Sequence, residues 1–116
     1  MKQFTCVKDV PDVPALIEKV LSIKGMKNPS FATGKNLSML FFNPSLRTRM
    51  STQAAAYNLG MTVSTLDVDQ GWKLELQPGA VMNGEAQEHI CDAIRVLSSY
   101  TDILAVRSFP LLQNKQ

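Results

Sequence analysis

The residues able to do chemistry crowd into one stretch, Asn43-Pro44-Ser45-Leu46-Arg47-Thr48-Arg49, which follows an apolar run and precedes an alanine-rich segment. The chemistry this suits is anion binding. A helix that starts after such a turn leaves its first backbone N–H groups without carbonyl partners, so the end carries partial positive charge and accommodates phosphate or carboxylate. Ser45 and Thr48 add hydroxyl donors, and Arg47 offers a planar fork whose paired N–H groups match two oxygens of a phosphate. Arg49, two residues further on, points to another side of the helix and is expected to meet an acidic residue of the protein. A more distant candidate, Arg107, ends the apolar run Ile103 to Val106. Each has a simpler reading alone: Ser45 as a helix cap, an arginine after a strand as a solvated charge. Their combination favours an anion site.

The positioning elements are a strand, a turn and a helix. Leu37 to Phe42 reads as a buried strand, and Met50, Ala54 and Tyr57 recur at helical spacing until Gly60 stops the helix. Met61 to Val68, rich in Val, Thr and Leu, reads as a second strand and completes a βαβ unit. Upstream, Asp12 caps a helix with Pro14 in its first turn and an apolar stripe of Val13, Leu16, Ile17, Val20 and Leu21. Gly25 ends it, and Asn28, Pro29, Ser30 and Gly34 form a connecting loop.

Downstream, Asp69 to Ala86 has no clear period and reads as a functional or irregular loop in which Trp72 stands out. Glu88 is expected to open a third helix, striped by Ile90, Ala93, Ile94, Leu97 and Tyr100. Ile103 to Val106 is a short apolar strand covered on both faces, and Leu111 to Gln116 has no readable structure. The alternation predicts an α/β fold: a parallel sheet flanked by helices on both faces, with ligand bound outside the carboxyl ends of the strands. Arg47 and Arg107 both fall at such ends. If their strands are neighbours, about 4.8 Å apart, both reach one anion.

Composition narrows the partner. The 116 residues fit one domain, and 45% hydrophobic with 19% charged residues is ordinary for a soluble globular chain. A formal charge of +2 is too small and dispersed to point to nucleic acid or a membrane surface. No apolar run approaches the roughly 20 residues that span a bilayer, and Met1 to Asp9 lacks the apolar core of a secretory signal, so a cytoplasmic location is expected. Cys6 and Cys91 form no CxxC pattern, which suggests neither a zinc site nor a disulfide. GxxxxGK[ST] and GxGxxG are both absent, which counts against nucleotide hydrolases and dinucleotide enzymes. His89, the one histidine, reads as structural, and Glu85 and Glu88 suit the start of a helix.

At the level of motifs, Phe42-Asn43-Pro44-Ser45-Leu46-Arg47-Thr48-Arg49 resembles the Ser-x-Arg-Thr-Arg carbamoyl-phosphate motif of the aspartate and ornithine carbamoyltransferase family. Gly71-Trp72-Lys73-Leu74-Glu75, Val81-Met82-Asn83-Gly84, Glu88-His89 and Val106-Arg107-Ser108-Phe109 are similar to its N-acylornithine branch, the N-acetylornithine and N-succinylornithine carbamoyltransferases. The resemblance runs over practically the whole chain. It implies that residues 1–116 are an incomplete N-terminal carbamoyl-phosphate-binding domain. Ser45, Leu46 through its backbone, Arg47 and Thr48 would then bind the phosphate, and Arg107 with Thr48 would meet the carbamoyl oxygen as the catalytic pair. Trp72 would lie on a loop that reaches the neighbouring subunit's carbamoyl-phosphate site in a homotrimer. Gln87 and Phe109 would contact the N-acylornithine. In this branch the residue before the Glu-His pair helps separate acetyl from succinyl substrates, with Glu or Pro expected there. Gln87 is neither and leaves the choice near even, leaning to succinyl.

The implied reaction belongs to arginine biosynthesis and uses no metal or organic cofactor. The δ-amine of the acylated ornithine attacks the carbamoyl carbon, and phosphate leaves from a tetrahedral oxyanion. Family members also carry a His-Pro-x-Gln motif and a second, amino-acid-binding domain, and neither is found in these residues. The chain is therefore expected to supply only the carbamoyl-phosphate half-site, to bind carbamoyl phosphate weakly or not at all by itself, and not to turn over. A noncatalytic oligomerisation module, an ornithine carbamoyltransferase and a binder of another phosphometabolite are the alternatives.

Overall fold

Asp12 starts the first helix: its carboxylate accepts the Ala15 N–H at 2.9 Å, and Pro14 sits in the first turn, where a missing N–H costs nothing. The structure is a computed structural model that describes residues 3–26, 29–68 and 70–109. The expectations placed on Asn28, Asp69 and Leu111 to Gln116 fall outside these residues.

The elements run α1 (Val13–Lys24), β1 (Asn36–Phe41), α2 (Leu46–Asn58), β2 (Thr62–Asp67), β3 (Leu74–Glu75), β4 (Glu88–His89), α3 (Ile90–Tyr100) and β5 (Ile103–Arg107). β1, β2 and β5 form a parallel sheet in the order β2-β1-β5. The expected α/β architecture is therefore present, and the first and third long strands are neighbours. Leu37 to Phe41 are all buried, as a central strand covered on both faces requires. Leu37, Met39 and Phe41 form a core cluster with Ala56 of α2 and Met61, while the alternating positions Ser38 and Leu40 are buried on the other face. From β1 the chain passes through α2 to β2 on one side, whereas α3 delivers β5 to the other side of β1. The junction of β1 and β5 is thus a switch point, where open α/β sheets leave a crevice at the carboxyl ends.

Gly60 has the role expected of it. α2 ends in a left-handed residue, Gly60 at φ 83°, with Gly60 N–H donating to Tyr57 O and Met61 N–H to Ala56 O, both at 3.0 Å. This closure tucks Met61 against Ala56 in the core. A Cβ at Gly60 would lie 2.7 Å from the Thr33 hydroxyl oxygen, so close approach also selects glycine.

Three expectations are corrected. Met50 and Tyr57 are 58% and 60% exposed, so the anticipated apolar stripe of α2 faces away from the sheet. The helix turns Arg49, Gln53 and Ala56 inward instead, because β2 presents polar partners: Gln53 Nε2 donates to Thr65 Oγ1 at 3.2 Å, and Arg49 pairs with Asp67. Glu88 does not open α3. It lies in β4, which pairs with β3 inside the stretch expected to be irregular, and His89 is the helix cap. Glu85 is likewise not at a helix start and pairs with Lys73. Finally, β5 is not covered on both faces, since Ile103 and Val106 are 51% and 53% exposed; the stripe of α1 forms, with Ile17, Val20 and Leu21 exposed and Val13 and Leu16 half covered, beside Phe4 and Val7. Among the described residues no helix is long and apolar enough to cross a membrane.

Candidate functional site

Strand register builds the floor of the site. Phe41 pairs in register with Asp67 on one side and Arg107 on the other, so these three residues form a row across the carboxyl edge of the sheet. In-register neighbours of a parallel sheet project to the same face, which here is the face that carries α2. The first turn of α2 therefore sits over an acid, an aromatic ring and a base. Backbone bonds hold the row, with Val68 N–H donating to Phe41 O and Phe42 N–H to Arg107 O, both at 2.9 Å.

Asp67 and Arg107 each fasten that turn. The Arg49 guanidinium donates to the Asp67 carboxylate and lies 4.9 Å from the centre of the Phe41 ring. Arg49 thus has the internal acidic partner expected for it. On the other side, Arg107 Nη1 donates to Thr48 Oγ1, and its guanidinium lies 4.6 Å from the centre of the Phe109 ring. Arg107 Nε is buried and has no hydrogen-bond partner among the described residues. Such a donor is costly to leave unmet, and an oxygen-bearing ligand would satisfy it.

The donors that remain point to an anion. Ser45 is the N-cap of α2, its Oγ accepting the Thr48 N–H at 3.3 Å. Since Ser45 Oγ and Thr48 Oγ1 both accept inside the turn, each hydroxyl keeps its own hydrogen for an outside oxygen. Leu46 and Arg47 are the first two residues of α2, where backbone N–H groups have no intrahelical acceptor. Arg47 is exposed and has no hydrogen-bond or ion-pair partner among the described residues. With Arg49 neutralised by Asp67, Arg47 and Arg107 are the uncompensated charges beside the helix terminus, whose dipole has the same sign.

The structure thus brings together Ser45, Leu46, Arg47, Thr48, Arg107 and Phe109. Trp72 stands two residues before β3 and Gln87 immediately before β4, at the start of the short β3–β4 ribbon. Trp72 is half-exposed and has no hydrogen bond or cation–π partner among the described residues. Gln87 is turned back on the ribbon: its N–H donates to Lys73 O at 3.0 Å, and its side-chain oxygen accepts the Lys73 N–H. His89 spends both ring nitrogens locally, Nδ1 accepting the Cys91 N–H at 3.1 Å and Nε2 donating to Gln77 O at 2.9 Å, a structural use. Two contacts escaped the sequence reading, those of Asp67 and of the Asn43 side chain. Asp67 had a signal in the partner demanded by Arg49. Asn43 had none, because its side chain accepts the Phe109 N–H at 2.8 Å across 66 residues of chain.

A cradle of this kind, at the switch point of a parallel sheet, makes the chain an α/β domain with a candidate anion site. The family described as "Aspartate/ornithine carbamoyltransferase, carbamoyl-P binding domain" matches residues 2–116, and the chain belongs to that family. It is 47% identical over 119 residues to an N-succinylornithine carbamoyltransferase of Bacteroides fragilis, covering 100% of this chain and 37% of that protein. To an N-acetylornithine carbamoyltransferase of Xylella fastidiosa it is 36% identical over 113 residues, covering 95% of this chain and 34% of that protein. Among solved structures, an N-acetyl-L-ornithine transcarbamylase variant complexed with carbamyl phosphate and N-succinyl-L-norvaline matches with a TM-score of 0.78 and 34% identity, over 96% of this chain and 34% of that one. The chain spans about a third of the length of these relatives.

Proposed function

We propose that the chain supplies the carbamoyl-phosphate half-site of an N-acylornithine carbamoyltransferase in arginine biosynthesis, with residues 1–116 as its carbamoyl-phosphate-binding domain. One observation carries the reading: an unpartnered Arg47 and an Arg107 with an unmet Nε–H converge on the hydroxyl-bearing first turn of α2. Ser45, the Leu46 N–H, Arg47 and Thr48 hold the phosphate, and Arg107 with Thr48 faces the carbamoyl oxygen. When the δ-amine of the acylornithine forms its bond to the carbamoyl carbon, the C=O electron pair moves onto oxygen beside these donors. The oxyanion pair then re-forms the C=O bond as the C–O bond to phosphate breaks, phosphate departs with the electrons of the broken bond, and the amine loses its proton. Donors fixed in place serve such a step because they need no reorganisation as charge develops, and each is worth about 2.7–4 kcal/mol.

Identities of 47% and 46% to N-succinylornithine enzymes, against 36% to an N-acetylornithine enzyme, support a succinylated substrate. Trp72 completes the site of a neighbouring subunit in a cytoplasmic homotrimer, consistent with a half-exposed indole that has no hydrogen bond or cation–π partner among the described residues. Gln87 and Phe109 border the acylornithine. The test is equilibrium dialysis of labelled carbamoyl phosphate against the chain, with sedimentation of the same sample. Saturable binding displaced by inorganic phosphate is expected, and no retention at millimolar ligand refutes the half-site.

A further inference from the structure

Asn43 stands just before Pro44 in the turn that leaves β1, a place where an asparagine side chain ordinarily bonds backbone about two residues onward. Its side-chain oxygen is instead committed to the N–H of Phe109, beyond the end of the neighbouring strand. Phe109 is 59% exposed, so packing does little to fix its ring. That ring is nevertheless the surface on which the Arg107 guanidinium lies, at 4.6 Å. The path from turn to helix is thus closed: Asn43 to the Phe109 backbone, the Phe109 ring to Arg107, Arg107 to Thr48 Oγ1, and Thr48 N–H to Ser45 Oγ.

We infer that Asn43 is a positioning residue for the anion site: by anchoring Phe109 it fixes the platform that aims Arg107 into the cradle. This rests on the half-site reading above. Without the anchor, the Phe109 N–H turns to water, the ring swings, and Arg107 keeps only its bond to Thr48. The loss is one of preorganisation. Ligand must then order Arg107 on binding, and the loss of one ordinary hydrogen bond's worth of restraint corresponds to about three- to tenfold in affinity.

Calorimetric titration of carbamoyl phosphate into the full chain, with urea unfolding of every variant, tests this. Asn43→Ala and Asn43→Ser, the latter polar but too short to reach the Phe109 N–H, are each expected to weaken binding about three- to tenfold. Phe109→Ala should weaken it as well, and adding Asn43→Ala to that variant should cost nothing more, because the anchor acts through the ring. A residue that merely supports the fold would give additive losses instead, and additive losses overturn the inference. So does unchanged affinity in Asn43→Ala while Arg47→Ala weakens binding about tenfold or more, an outcome that leaves the half-site intact. If neither Asn43 variant unfolds cooperatively, Phe109→Ala decides, and wild-type affinity in that variant overturns the inference. No heat with the wild-type chain, or full binding by Arg47→Ala, refutes the half-site itself and this inference with it.

Discussion

Arg47→Ala separates binding from folding more cleanly than any other change in the cradle. The side chain is exposed and contacts no partner among the described residues, so its removal should leave stability within about 0.5 kcal/mol of wild type. Binding should respond differently. A charge-assisted hydrogen bond contributes about 1.5–3 kcal/mol, and a guanidinium that grips two phosphate oxygens makes a pair of them. Discounting for an exposed site, where water competes, places the loss near the value of a single such bond, about tenfold to 150-fold in affinity. The assay is calorimetric titration with carbamoyl phosphate beside thermal unfolding of the same samples. Wild-type affinity in Arg47→Ala would refute the reasoning, because no other uncompensated arginine is exposed at the helix terminus. A large fall in melting temperature would refute it too, since it would show that Arg47 serves the fold.

Other perturbations test the scaffold. Gly60→Ala should destabilise by about 1–2 kcal/mol from its left-handed backbone alone, with the approach to Thr33 adding to that, read as a lower urea midpoint. Arg49→Met leaves the half-covered Asp67 carboxylate unpaired and should cost about 1 kcal/mol, between the value of an exposed pair and that of a buried one; Asp67→Asn in the same background should recover part of it. At the amino edge of the sheet, the Lys35 ammonium and then the Asn36 N–H hold the Asp102 carboxyl below the usual carboxylate range, and Asp102 in turn raises Lys35. A lowered carboxyl stabilises the fold at neutral pH and stops doing so as pH falls through its folded value. The lead of wild type over Asp102→Asn in urea unfolding should therefore be present at pH 7 and shrink below about pH 4.

Much of this architecture was legible because it rests on local rules. A continuous apolar run marked β1, Asp12 and Pro14 marked the start of α1, Gly60 marked the end of α2, and the Ser45 to Arg49 turn carried its donors in plain sequence. The facing of α2 was not legible. A periodic stripe says which residues share a side, not what the sheet offers, and Thr65 with Asp67 drew the polar side inward. The β3–β4 ribbon was hidden because two residues per strand give no period to detect. The convergence of Arg107 on Thr48 was legible only as a condition on strand order, which a distant crossover decides. Asn43 was least visible of all, since its partner lies beyond the far end of the neighbouring strand.

Chemical-shift mapping tests the central claim most directly. Titration of the 15N-labelled chain with carbamoyl phosphate should move the backbone N–H signals of Leu46, Arg47 and Thr48 and the Nε–H signal of Arg107, the buried donor that has no partner among the described residues. Saturable shifts confined to that group are the predicted result. Shifts that leave Arg107 Nε–H and the first turn of α2 unmoved, or that gather on another surface, would contradict the account.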